Sequence, residues 1–118
     1  MILVDTSVWV DHLRAAEEEL ESLLGQGLVL SHAFVIGELA CGNLKNRREI
    51  LSLLEALPRA SVANHEEVLH LVAEQKLYGK GLGWVDVHLL AASLLAQSPL
   101  WTKDKTLASV ARELATGK

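Results

Sequence analysis

Met1-Ile2-Leu3-Val4-Asp5-Thr6-Ser7 (residues 1–7) is the stretch on which the fold turns. Its first four residues are an unbroken apolar run, too short for a core helix and suited to a buried strand. Asp5 ends the run abruptly. Thr6 and Ser7 each offer a helix cap, so a helix is predicted directly behind the strand, through about Leu13. The pattern recurs outward along the chain. Leu28-Val29-Leu30 reads as a second strand, with Ser31 as the cap of a helix from Ala33 to about Leu44. Leu100-Trp101-Thr102 reads as another, followed by Asp104 and a helix to Ala115 with Leu107, Val110, Ala111 and Leu114 inward.

Amphipathic segments fill the intervals. Glu17 to Leu24 ends at Gly25 and Gly27, and Arg47 to Leu57 is stopped by Pro58. Ala60 to Ala63 is expected as a short edge strand. Asn64 and Glu67 have capping-box spacing for a helix through Leu77. The glycine-rich stretch 79–83 leads into a nearly all-apolar helix from Asp86 to Gln97, which Ser98-Pro99 breaks. Short apolar strands alternating with helices predict an α/β fold. The expected architecture is a three-layer α/β/α domain spanning 1–118, with a central, mostly parallel sheet of four or five strands. In such sheets, sites form beyond the carboxyl ends of the strands.

That rule draws attention to four acids: Asp5, Glu38, Asp86 and Asp104. Asp86 and Asp104 have an ordinary explanation as helix N-terminal residues, and Asp5 could cap the first helix. Glu38 is harder to explain, because Phe34, Val35, Cys41 and Gly42 are its neighbours one turn away. Taken together the ordinary explanations weaken. Two carboxylates about 5 Å apart repel by about 3 kcal/mol at an effective dielectric near 20, and Asn or Ser would cap without that cost. Converging carboxylates suit a hard cation, Mg²⁺ or Mn²⁺, and hence chemistry on phosphate. Zinc would require His or Cys, and the histidines at 12, 32, 65, 70 and 88 lack zinc-ligand spacing. His65 and His70 are expected at the surface, and His88 is the imidazole nearest a singled-out acid.

The other chemical residues read more plainly. Cys41 is expected to be a buried small hydrophobe. Trp9, Trp84 and Trp101 are expected to pack against the sheet rather than stack on bases. Most of the Lys and Arg residues read as solvated surface, with Lys103 and Lys105 bracketing Asp104 as candidate phosphate contacts. Stretch 79–83 is no Walker loop, since no Gly-Lys-Ser/Thr closes it.

Composition sets outer bounds. With 118 residues and a hydrophobic fraction of 50%, the chain can build one substantial core. One cysteine allows no internal disulfide, which leads to the expectation of a cytoplasmic protein. The N-terminal apolar run has neither the basic region nor the length of a signal peptide, and no stretch is long enough for a membrane span. The net charge of −4 does not advertise nucleic-acid binding, but bound cations would invert that balance locally.

The chain resembles the PIN-domain ribonucleases, specifically the VapC-type toxins of toxin–antitoxin pairs. Four stretches carry the resemblance: ILVDTSVWVDHL at the start, VIGELACG around Glu38, GLGWVDVHLLAAS around Asp86 and LWTKDKTLASVA around Asp104. Each is weak by itself; their order and spacing are specific. The resemblance implies a quartet of Asp5, Glu38, Asp86 and Asp104 that binds Mg²⁺ or Mn²⁺ and cleaves RNA. It makes Thr6 and Thr102 orienting or substrate-binding groups. It also implies a homodimer and a cognate antitoxin protein. Family chains often close with an edge strand, for which Ala115 to Lys118 has little strand character. A non-catalytic PIN-fold module binding RNA or protein is the alternative. A haloacid-dehalogenase phosphatase would need an acid where Ser7 stands, and a phospho-receiver would need one beside Asp5, where Thr6 stands.

Overall fold

Strand β1 (Ile2–Val4) lies at the centre of the sheet, flanked by β2 (Val29–Leu30) and β3 (Leu100–Trp101), in a computed structural model that describes residues 1–118. All pairings are parallel. Leu3 lies opposite Leu30 on one side and Leu100 on the other, and Val4 lies opposite Trp101. Burial explains the apolar run, since Leu3 and Val4 are wholly inaccessible.

Seven helices surround the sheet: α1 (Thr6–Arg14), α2 (Glu18–Gly25), α3 (Ala33–Ala40), α4 (Arg47–Ala56), α5 (His65–Glu74), α6 (Trp84–Ala96) and α7 (Lys105–Glu113). They form two groups. In one, α1 packs on α3 and α3 on α4; in the other, α5 packs on α6, and both α6 and α7 pack on β3. The apolar character of α6 follows from its place, since every residue from Val87 to Ser93 is buried.

The sheet has three strands, not four or five. Each expected outer strand is reduced to a single bridge, Ser31 with Arg59 and Leu100 with Gly117. At one edge Ser31 N–H donates to Pro58 O (2.8 Å) and Ala60 N–H donates to Ser31 O (2.9 Å). The expected strand at Ala60 to Ala63 is instead an unpaired connection. At the other edge Leu100 N–H donates to Thr116 O (2.7 Å) and Lys118 N–H to Leu100 O (3.0 Å). Positive φ at Ala115 (58°) turns the chain out of α7 into this bridge. A Cβ at Gly117 would stand 2.8 Å from Arg112 N, so the approach requires glycine.

Local chemistry also departs from expectation in places. The Asn64–Glu67 capping box forms as predicted. Ser31, expected to cap α3, is used by the edge bridge, and His32 Nδ1 caps instead by accepting from Phe34 N–H (3.0 Å). Helix α3 stops at Ala40 rather than Leu44, where Arg47 Nη1 donates to the Ala40 carbonyl (2.5 Å). Cys41 therefore falls past the helix end and is exposed, not buried. Thr6 and Ser7 lie inside α1, and Asp5 occupies the cap position without using its carboxylate as a cap.

Candidate active site

Asp5 sits where the central strand ends. Its own N–H donates to Trp101 O (2.9 Å), so the backbone is clamped to β3 at that point. One carboxylate oxygen, Oδ2, accepts from Ser7 Oγ and from Thr102 Oγ1, each at 2.7 Å. The two hydroxyls lie 3.3 Å apart with their protons directed at the same oxygen. They also accept: Ser7 Oγ from Lys103 N–H (2.9 Å) and Thr102 Oγ1 from Asp104 N–H (3.1 Å). Asp5 is 7% exposed, yet its Oδ1 has no protein partner.

The other acids repeat this division of labour. Asp104 caps α7, its Oδ1 accepting from Leu107 N–H (2.9 Å). Asp86, three residues into α6, accepts Gly83 N–H on Oδ2 (2.8 Å). Glu38, exposed on α3, accepts from Thr6 Oγ1 on Oε1 (2.6 Å). In each case one oxygen serves the fold and the other is unpartnered. The ordinary cap explanation is thus correct for one oxygen of Asp86 and one of Asp104, and silent about the second.

Charge ties three of the acids together. Burial holds the Asp86 carboxyl above its ordinary range, the negative charges of Asp5 and Asp104 push it the same way, and the Gly83 N–H pulls it back. Thr6 ties Glu38 to the start of α1, one residue beyond Asp5. No three Asp, Glu, His or Cys groups are close enough together to enclose an ion by themselves. The all-oxygen donor set and the mutual repulsion at Asp86 nonetheless fit a hard cation. Mg²⁺ in particular keeps several waters and takes only one or two carboxylates.

The lysines expected near phosphate are placed differently from each other. Lys103 Nζ donates to Asp11 Oδ2 (2.9 Å) and pairs with Glu17, contacts that raise its pKa and lower that of Asp11. Lys105 makes no ion pair and lines a shallow cleft with Lys80 and Ser109. A larger cleft of about 620 Å³ opens beside Thr6 and Glu38, with Arg14, Asn43 and Lys45 on its walls. Sequence reasoning missed Arg14 and Ser7. Nothing in the sequence marks Arg14, whereas Ser7 lies two residues after Asp5, within reach of its carboxylate.

Residues 2–113 match the PIN domain family. The chain belongs to that family. Two curated PIN-domain relatives are both named Ribonuclease VapC32, from Mycobacterium tuberculosis strains CDC 1551 / Oshkosh and ATCC 25618 / H37Rv. Each is 48% identical over 114 residues, covering 96% of this chain and 92% of the relative. The PIN-domain match runs from β1 to the end of α7 and so includes all four acids.

Proposed function

We propose that this PIN domain is a metal-dependent endoribonuclease and the toxin of a toxin–antitoxin pair. One observation carries the reading: four carboxylates, each with one oxygen held by the fold and one unpartnered, gathered about the end of the central strand. The 48% identity to proteins named ribonuclease supports the choice of RNA. Asp5, Asp86, Asp104 and Glu38 are the metal-binding groups. When bound, Mg²⁺ or Mn²⁺ supplies an acidified water and offsets the charge growing on the phosphate.

The chain's own residues set the geometry. Ser7 and Thr102 fix the Asp5 carboxylate so that Oδ1 faces outward. Thr6 holds Glu38, whose free oxygen orients the attacking water. Lys105 is free to meet a flanking phosphate, and Lys103 can do so by leaving Asp11 and Glu17. Attack by water on phosphorus breaks the bond to the 3′ oxygen and leaves 5′-phosphate and 3′-hydroxyl ends. An antitoxin protein and a second copy of the chain are the expected partners. No helix is long and apolar enough to cross a membrane.

The test is cleavage of total cellular RNA by the purified protein, with Mg²⁺ or Mn²⁺ against chelator. Discrete metal-dependent products ending in 5′-phosphate are expected. Products ending in 2′,3′-cyclic phosphate would overturn the mechanism. Cation binding without any cleavage would favour the binding-module reading.

A further inference from the structure

Trp84 has little structural reason to be a tryptophan. It is the first residue of α6 and leaves 43% of its surface in solvent, against 4% for Trp9. It takes no part in the core around the sheet, contrary to the expectation that all three tryptophans pack there. The indole is nonetheless held in place. His88, one turn along α6, meets it edge to face at 4.7 Å and 86°, and His65 of α5 lies against it at 5.3 Å.

Behind it the rings continue inward. His88 meets Phe34 at 4.7 Å, and Phe34 meets His32 at 5.2 Å. Burial lowers the pKa of both inner imidazoles, to about 4 for His32. The result is a fixed, uncharged wall whose exposed end is the indole.

The wall stands beside the acids. Phe34 and Glu38 are four residues apart on α3, hence on one face and about 6 Å apart along its axis. That is comparable to one nucleotide step of an extended single strand. Trp84 and Asp86 share the first turn of α6.

We propose that Trp84 is a substrate-binding residue that stacks on the base of a nucleotide adjacent to the scissile phosphate, in RNA that is single-stranded there. The proposal rests on the ribonuclease reading. Net charge is −4 and the acids repel a phosphate backbone, so affinity must be recovered by a contact that does not depend on charge. Stacking on an aromatic ring supplies it with little regard to sequence, because every base has a π face. Paired bases would hide those faces, which restricts the substrate to unpaired stretches. A ring already immobilised by two neighbours loses little freedom on binding.

The test uses full-length protein carrying Asp5→Asn, in Mg²⁺, so that bound RNA is not cut. Single-stranded RNA of about a dozen nucleotides is titrated beside an abasic ribose-phosphate chain of equal length, following tryptophan fluorescence. RNA is expected to quench and the abasic chain is not. Adding Trp84→Phe should remove most of the quenching while weakening binding less than about threefold, and Trp84→Ala should weaken it roughly tenfold or more. Unchanged affinity and quenching in both variants would overturn the proposal. So would Trp84→Ala that binds RNA normally but loses self-association, which would assign the indole to a contact between copies. Cleavage by the unsubstituted protein is scored separately. Trp84-dependent quenching without cleavage defeats the ribonuclease reading and keeps the stacking site; cleavage indifferent to Trp84 does the reverse.

Discussion

Asp5 and Glu38 are served by adjacent hydroxyls, Ser7 and Thr6, yet the two corners of the site are built differently. Asp5 is buried, grows from the central strand, and receives two hydroxyl protons from opposite ends of the chain. Glu38 is exposed on a helix and receives one. The first corner is fixed by backbone register before any ligand arrives. The second is held by a single side-chain bond and is the part of the site able to adjust. A rigid anchor paired with an adjustable partner suits a centre that must hold a cation and also accept a substrate.

Four substitutions would break or sharpen that contrast. Asp5→Asn should have the largest effect, lowering cleavage by more than about 100-fold, beyond the range expected for a merely supporting group. Circular dichroism should show the fold intact, since an amide oxygen still accepts the Ser7 and Thr102 protons. Next come the hydroxyls. Thr102→Val should cost about 10- to 100-fold in cleavage and about 1 kcal/mol in a denaturant melt, because it also strands the Asp104 N–H. Thr6→Val should cost less on both counts; an equal or larger loss would mean that the two corners are equally rigid.

The third variant probes repulsion in the metal-free protein. The folded-state pKa of Asp86 is raised above 3.8. Ionisation is therefore easier in the unfolded chain, and stability is lost as pH rises through the raised value. In chelator at neutral pH, Asp86→Asn should melt a few degrees above the parent, with the difference vanishing below the ordinary carboxylate range. A variant that melts lower at neutral pH would show that the charge is not strained. The smallest effect belongs to Lys105→Ala: similar cleavage at low salt, and a slope of log affinity against log salt shallower by about 0.7, one phosphate contact on a single strand. An unchanged slope would remove Lys105 from the RNA path.

The acids were legible in the sequence because each interrupts or adjoins an apolar pattern that needs no charge. The helices were legible for the same reason, with Asn64 and Glu67 the clearest case. Contacts between distant residues were not. Ser31 looks like a cap until Pro58 and Ala60 claim it for the sheet edge. Cys41 sits in a helical pattern until Arg47, six residues later, closes α3 at Ala40. The outer strands were overestimated because apolar content signals burial, and Ala60 and Ala63 are buried without being paired. Trp84 was misjudged because a large aromatic residue is usually core, and only its neighbours reveal that it stands outside.

The bond between Thr102 and Asp5 joins residues 97 positions apart. As the protein is being made, the N-terminal strand leaves the ribosome first and waits for β3 almost to the end. A nascent chain shorter than about a hundred residues has neither the hydroxyl that fixes Asp5 nor Asp104 itself. An enzyme that destroys RNA is thereby harmless to the message and machinery producing it until synthesis is nearly finished, and its activity dates from the moment the last tenth of the chain folds back against the first.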